Sequence, residues 1–322
     1  MKNGLEHALI LDKKGGAVEV SYEKLDEIDF ENNLVWLHFD YSSDEAVQWI
    51  TNKSGIDPIA IEALLTAETR PRTTILNESL LLALRGVNLN PNSNPEDMIS
   101  IRIFINENLI ITTKRRDLLS VNDIVDFLKR NDGPKSSSEF LVELSDRLTT
   151  RMQGTIEELD DRADALEEIV MDSSNIELKS EMSSIRREAL TLRRYLSPQK
   201  EAMYKLLHDK IVWINEYERI QLREITDQLI RYIEELDTIK DKVSLIQEEL
   251  VNKISEQMNN KMYLLSIISA IFLPLGFFTG LLGVNVGGIP GTENPNAFYI
   301  FSGFLVVVVI LQFIYFRKKK WI

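Results

Sequence analysis

Two charge-free stretches near the C-terminus decide the fold of this chain. Residues 262–282 read MYLLSIISAIFLPLGFFTGLL, and residues 297–316 read AFYIFSGFLVVVVILQFIYF. A helix needs about 20 apolar residues to cross the hydrocarbon core of a bilayer, so each stretch is long enough. Core helices of a soluble protein usually have a polar stripe and caps, which these stretches lack. The sequence therefore predicts a transmembrane hairpin.

The charges that flank these stretches predict their orientation. Lys253 and Lys261 precede the first stretch, and the basic segment 317–320 (RKKK) follows the second. The connecting loop, residues 283–296, contains a single charge, Glu293. Basic flanks remain on the cytoplasmic side of the membrane. We therefore expect a multi-pass protein of the cytoplasmic (inner) membrane, with both termini in the cytoplasm and the loop outside.

The two predicted spans differ in character. The second contains four consecutive valines, 306–309, and suits a lipid environment. The first contains three hydroxyl side chains and three glycines, namely Ser266, Ser269, Thr279, Gly276, Gly280 and Gly283. Small residues four apart share a helix face and allow close approach of another helix, although hydroxyls can equally bond their own backbone. Because two helices cannot enclose a pore, several copies of the first span would have to line any ion path.

Composition narrows the function further. The 322 residues carry a formal net charge of -13, from 50 acidic and 37 basic residues, which argues against a nucleic-acid partner. Cysteine is absent, which excludes disulfides and thiolate zinc sites. The three histidines are scattered, and no glycine-rich phosphate loop or catalytic constellation is recognisable. We therefore expect neither an enzyme nor a bound cofactor.

Residues 136–260 are predicted to form a cytosolic helical stalk. We expect helices at 138–171 and 176–208, and a third from about 215 to 282, roughly 100 Å long. Its apolar residues are spaced alternately by three and four, as in a coiled coil or in a seam against the preceding helices. They are Leu222, Ile225, Leu229, Tyr232, Leu236, Ile239, Val243, Ile246 and Leu250. Carboxylates between 157 and 168 can chelate a divalent ion, but a solvated face is favoured.

Residues 1–135 mix strand-like and helix-like patterns and predict a cytosolic α/β domain. The expected strands are 33–40, 79–89, 99–105 and 108–113, and the expected helices are 43–51, 58–65 and 121–129. His38 falls in the first of these strands, where a structural role is favoured over metal ligation. The remaining segment, 261–322, is the transmembrane hairpin.

The loop after the first span begins GVNVGGIPG at residue 283. This density of glycine and proline predicts non-helical backbone just outside the membrane. The amide oxygen of Asn285 can contact a hydrated metal ion without adding charge, although composition alone favours a plain turn.

The sequence resembles the CorA superfamily of divalent cation transporters, and within it the ZntB branch. That superfamily has a Gly-x-Asn signature directly after the first of two C-terminal spans, matched here by Gly283-Val284-Asn285. The following Gly-Gly-Ile-Pro-Gly (287–291) is similar to ZntB, whereas the magnesium transporters usually have Met where Val284 stands. Other matches lie along the whole chain: FLPLG (272–276), ETRPR (68–72), WLH (36–38), SPQ (197–199) and KKKW (318–321).

This resemblance implies a CorA-like, funnel-shaped homopentamer: an α+β membrane protein with a cytosolic α/β domain, a long helical stalk and two C-terminal transmembrane helices. It implies that Gly283, Val284 and Asn285 form the selectivity ring at the outer mouth. Asn259 and Leu273, with Thr279 near the same face, would line the pore, with Leu273 as an apolar constriction. The charge of Glu293 in the outer loop would add to a favourable potential for cations.

The residues leave the transported ion open. Zinc selectivity normally uses His or Cys ligands, and the spans contain neither. The resemblance favours zinc, with proton-coupled uptake, and a CorA-type magnesium (cobalt or nickel) channel is the alternative. A membrane-anchored coiled-coil scaffold is a third possibility. No resident metal site can be assigned from the sequence.

Overall fold

The computed structural model describes residues 3–67, 70–172, 177–284, 289, 291 and 293–319. The chain divides into two compact units, Met1–Gln247 and Glu248–Ile322, which we call the N-terminal unit and the C-terminal unit. One helix, Glu216–Gly283, belongs to both. The expected three-part division at residues 135 and 260 stays a prediction.

The N-terminal unit is built on a mixed sheet of the seven strands found in the described residues. The strands are β1 (Leu5–Leu11), β2 (Ala17–Glu19), β3 (Leu34–Asp40), β4 (Arg72–Leu76), β5 (Ser79–Gly86), β6 (Ile99–Ile105) and β7 (Leu109–Lys114). Their order across the sheet is β2-β1-β3-β7-β6-β5-β4. The central pair β3 and β7 is parallel, and the other neighbours are antiparallel. Six of the seven residues of β3 are buried, as expected for a central strand covered on both faces.

The four expected strands are confirmed, with one correction. The strand predicted for 79–89 ends at Gly86, where a Cβ atom would lie 2.8 Å from the Leu148 side chain. The absence of a side chain at Gly86 therefore permits the close approach of a helix at the end of the strand. Strands β1, β2 and β4 were not predicted. β2 and β4 are the edge strands, and β2 is three residues long, too short to show an alternating pattern.

Helices cover both faces of this sheet. The α-helices of the described residues are α1 (Asp44–Asn52), α2 (Pro58–Leu65), α3 (Leu119–Lys129), α4 (Ser137–Thr150), α5 (Gln153–Asp172), α6 (Leu178–His208), α7 (Glu216–Gly283) and α8 (Ala297–Lys318), of which α8 belongs to the C-terminal unit. Leu37 and Phe39 of β3 share a buried cluster with Trp49 of α1 and Leu64 of α2. Trp36 lies on the opposite face, with its ring centroid 4.7 Å from that of Phe140 in α4.

The continuous helix predicted for 138–171 is wrong, because the chain turns between α4 and α5. The N–H of Met152 donates to the Thr149 carbonyl at 3.0 Å, a tight turn. The turn buries the Met152 side chain, which is 1% exposed. The helical spacing of apolar residues continues through this turn. The sequence pattern therefore does not indicate where α4 ends and α5 begins.

The prediction of a helix from about 215 to 282 is confirmed by α7. Its start is fixed by a reciprocal cap: Asn215 Oδ1 accepts from the N–H of Tyr217 at 2.9 Å, and Glu218 Oε2 accepts from the N–H of Asn215 at 2.7 Å. The predicted apolar seam is buried in the single chain from Leu222 to Leu250. Ion pairs beside this apolar seam join α7 to α5 and α6. The N-terminal part of α7 therefore packs against the preceding helices.

Candidate ion pathway

The C-terminal unit contains the two predicted spans. Among the described residues, α7 and α8 are the two helices long and apolar enough to cross a bilayer. Their most apolar windows have mean hydropathies of 2.1 and 2.5, and no part of either window is buried within the chain. A core helix of a soluble protein would bury this surface against its own chain. Exposure of both helices therefore agrees with a lipid environment.

The two helices contact each other along one side of α7. The rings of Phe278 and Phe304 meet edge to face, with centroids 5.1 Å apart. A groove of about 520 Å³ lies along this contact. Its lining comprises Phe272, Leu275, Gly276 and Thr279 of α7 and Leu305, Val306, Val309 and Ile310 of α8. This side of α7 is therefore occupied by α8.

A polar contact between the helices lies where proline interrupts α7. Pro274 has no N–H, so the carbonyl of Ala270, four residues earlier, lacks its usual helical donor. Gln312 of α8 donates its side-chain Nε2 to this carbonyl at 3.3 Å. Within a membrane, groups on neighbouring helices satisfy the backbone carbonyls that a proline frees. Gln312 thus stabilises the hairpin at this turn, a role that the sequence analysis missed.

The opposite part of α7 has a free face. Successive residues turn by about 100° around a helix axis, so Asn259, Ser266 and Gly280 lie within about 40° of Leu273. Leu273 is 73% exposed, and neither it nor the other three residues line the groove against α8. A Cβ atom added at Gly280 would meet nothing within 4 Å. This face is small or polar at three of these four positions and is available to further copies of α7.

Thr279 lies elsewhere. It is about 120° from Leu273 around the axis and lines the groove against α8. Its hydroxyl donates to the Leu275 carbonyl at 2.9 Å, and the Ser266 hydroxyl donates to the Met262 carbonyl at 2.8 Å. The alternative in which hydroxyls bond their own backbone is therefore the observed one. The assignment of Thr279 to a pore wall stays a prediction.

The predicted selectivity segment begins at the end of α7. Gly283 is the last residue of the helix, and Val284 follows it with 49% of its side chain exposed. Asn285 lies outside the described residues. Glu293 is exposed in the loop between α7 and α8. The assignments of Gly283, Val284, Asn285, Asn259, Leu273 and Glu293 to an ion path stay predictions.

Two of the carboxylates of α5 are paired with a basic side chain in the single chain. Lys242 Nζ lies 2.7 Å from Asp160 Oδ1 and 2.5 Å from Asp164 Oδ1. Arg162 pairs with Glu188 at 2.7 Å, and this hydrogen bond contributes most to raising the pKa of Arg162. Within the part of the chain that the structure describes, no three His, Cys, Asp or Glu side chains are arranged to hold a metal ion. These contacts agree with the favoured interpretation of a solvated face.

His38 is a buried component of the sheet. Its Nδ1 lies 2.7 Å from the Thr112 hydroxyl, and that hydroxyl accepts a hydrogen bond from Trp36 Nε1 at 2.8 Å. Its Nε2 lies 3.8 Å from Glu6 Oε2 and makes no hydrogen bond. Burial, and after it the positive charge of Lys114, holds the pKa of His38 well below its usual value. The ring is therefore neutral, and the favoured structural role is supported.

Comparison with known proteins identifies the family. The CorA-like Mg²⁺ transporter protein family matches residues 31–318. The divalent cation transporter CmaX of Pseudomonas aeruginosa is 37% identical over 324 residues, which cover 100% of this chain and 98% of that protein. The zinc transport protein ZntB of Pectobacterium atrosepticum is 34% identical over 321 residues, with coverage of 99% and 97%.

A solved structure of full-length CmaX matches the fold with a TM-score of 0.87 at 36% identity, covering 100% of this chain and 99% of that one. The expected architecture, an α/β domain followed by a long helix and two C-terminal candidate spans, is therefore confirmed. The chain belongs to the CorA family of transporter proteins.

Proposed function

We propose that this chain transports divalent cations across the cytoplasmic membrane, as a homopentamer whose pore is lined by α7. The observation that carries the proposal is the free face of α7, with Asn259, Ser266, Leu273 and Gly280 directed away from α8. Copies of this face brought together around an axis would enclose a path of polar and small side chains with one apolar constriction at Leu273. The face ends at Gly283, where the Gly-x-Asn signature begins.

Zinc is the proposed ion, taken up with a proton gradient. The support comes from relatives named as zinc transport proteins and from the Gly-Gly-Ile-Pro-Gly extension. An uncharged ring of Asn285 side chains would contact a cation that keeps most of its water, and it would discriminate weakly between zinc and magnesium. A magnesium channel is the second candidate, favoured by the description of the family.

Ion uptake by the purified chain in liposomes tests the proposal. We expect zinc uptake that increases when the outside is more acidic than the inside, and Asn285→Ala should reduce it at least about tenfold while the oligomer persists. Asn296→Ala, the same change at an exposed loop residue outside the signature, is the matched control and should leave uptake within about twofold. Magnesium uptake without zinc uptake would replace the proposed ion. Absence of both fluxes would favour the membrane-anchored scaffold.

A further inference from the structure

An arginine-rich cavity lies in the N-terminal unit. Its volume is about 900 Å³, and it lies beside β5 and β6, the segment after β7, and α6. Six arginines line it: Arg70, Arg85, Arg102, Arg115, Arg116 and Arg194. Asp97 is the sole carboxylate among its described lining residues. Such a concentration of positive charge is unexpected in a chain whose formal net charge is -13.

Within the part of the chain that the structure describes, several of these arginines form no ion pair with a carboxylate. Asp97 pairs with Arg116, with Nη1 and Oδ2 2.6 Å apart, and this hydrogen bond holds the pKa of Asp97 below its usual value. Among the described residues, no carboxylate forms an ion pair with Arg70, Arg115 or Arg194. Arg70 and Arg115 are exposed on the wall of the cavity.

Arg102 adds an independent observation, because it is charged, buried and incompletely bonded. It is 2% exposed, and its Nη2 donates to the Ala67 carbonyl at 2.7 Å. Its Nε has no hydrogen-bond partner. Burial lowers the pKa of Arg102, which means that the protein disfavours its charge in the absence of a nearby anion. An anion in the cavity would offset that cost.

Aromatic contacts hold the guanidinium groups in place. Arg102 lies over the Tyr41 ring at 4.5 Å from its centroid, and Arg85 and Arg194 lie over the Tyr195 ring at 4.2 and 4.8 Å. Stacked guanidiniums retain in-plane N–H groups, which can bind planar or tetrahedral oxyanions. The cavity is therefore preorganised for an anion.

We propose that this cavity binds a small anion carrying two or more phosphate groups. Several uncompensated guanidiniums require a ligand with more than one negative charge, and arginine forks bind phosphate oxygens two at a time. The volume of the cavity is in the range of small-molecule sites. Both a nucleotide and an inorganic pyrophosphate offer this chemistry.

Calorimetric titration of the full chain in detergent, in chloride-free buffer with a chelator, tests the proposal. The probes are sodium pyrophosphate, ATP, inorganic phosphate and adenosine. We expect pyrophosphate and ATP to bind, phosphate to bind at least about tenfold more weakly, and adenosine not to bind. Equal affinity for pyrophosphate and ATP would assign the site to the phosphate chain alone, and tighter binding of ATP would assign it to a nucleotide.

Two double variants locate the binding. Arg70→Gln with Arg115→Gln removes two exposed charges from the cavity, and Arg186→Gln with Arg223→Gln removes two exposed charges elsewhere. We expect the cavity variant to lose at least about tenfold in affinity and the control to stay within about twofold. Equal affinity in both variants would overturn the proposal. The proposal would also be overturned if no probe bound to the unmodified chain and only the cavity variant changed its oligomeric state. An acidic segment of another copy would then occupy the cavity.

Discussion

At the residue scale, burial of His38 makes the stability of the fold depend on pH, because it lowers the pKa of the folded-state imidazole. Its ring is fully buried between β3 and β7, where Thr112 binds one nitrogen. The charged groups that face it are Lys114 and Glu6, and the neighbouring His7 also has a pKa lowered by burial. Because the pKa of His38 is lower in the folded than in the unfolded chain, the unfolded chain takes up protons first as the pH falls.

Stability is therefore expected to be complete above pH 6.5, the ordinary value for this histidine, and to decrease at lower pH. Each pH unit below this value should cost about 1.4 kcal/mol until the folded-state pKa is reached. Unfolding of the full chain in detergent between pH 7.5 and 5.5 measures the effect. His38→Gln should reduce the pH dependence, and the exposed His208→Gln should leave it unchanged. An equal pH dependence in all three proteins would contradict this account.

The sequence was sufficient to predict that His38 lies in a strand and that a Gly-x-Asn signature begins at Gly283. It could not predict the partners of His38, because Thr112 is 74 residues away and becomes a neighbour through the parallel pairing of β3 and β7. The same limit applies to the arginine cavity. Its members come from positions between 70 and 194, with no spacing that a motif would show.

At the scale of elements, the contact between α7 and α8 includes a hydrogen bond that compensates for the proline in α7. Pro274 removes the donor for the Ala270 carbonyl, and Gln312 supplies a replacement. The sequence pattern could predict both helices, because each apolar stretch is long and uninterrupted. The pattern could not predict this contact, because the apolar residues of the two helices do not indicate which helical turns face each other.

A double-mutant cycle measures this contact. Gln312→Leu should destabilise the hairpin by roughly 0.6 kcal/mol when Pro274 is present, the usual size of a hydrogen bond between membrane helices. In a Pro274→Ala background the same change should cost much less, since the new N–H can bond Ala270 directly. Unfolding of the four proteins in mixed micelles gives the coupling. If Gln312→Leu costs the same in both backgrounds, the hydrogen bond does not have this role.

Helices and strands whose ends are set by turns were harder to predict than those whose ends are set by the spacing of apolar residues. The break between α4 and α5 is set by the burial of Met152, and the edge strands β2 and β4 are short. α7, by contrast, was predicted to within a residue of both ends, from the spacing of its apolar residues and the charge-free stretch that follows them.

At the scale of the whole molecule, the charge distribution along the chain indicates how it is organised. Nearly all charged residues precede position 262, and the two apolar spans follow. This asymmetry could predict a large polar part and a membrane hairpin, and the family motifs could predict the transporter fold. A pore cannot be read from one chain, because its wall would be made of several copies of the free face of α7.

Thiol modification of single-cysteine variants tests the central claim, that divalent cations pass along the free face of α7. The chain contains no cysteine, so one introduced thiol is the only reactive one. Ser266→Cys places it on the free face, and Val307→Cys places it on exposed α8 away from the groove. Each variant in liposomes is treated with either a permanently positively charged or a small neutral methanethiosulfonate reagent. Zinc or magnesium influx is then measured.

The account predicts that the charged group at Ser266→Cys lowers influx at least about tenfold relative to the neutral group, because it places positive charge in the ion path. At Val307→Cys the two treatments should agree within about twofold. Influx that is blocked at Val307→Cys but not at Ser266→Cys, or at neither position, would contradict the claim that α7 lines the pore.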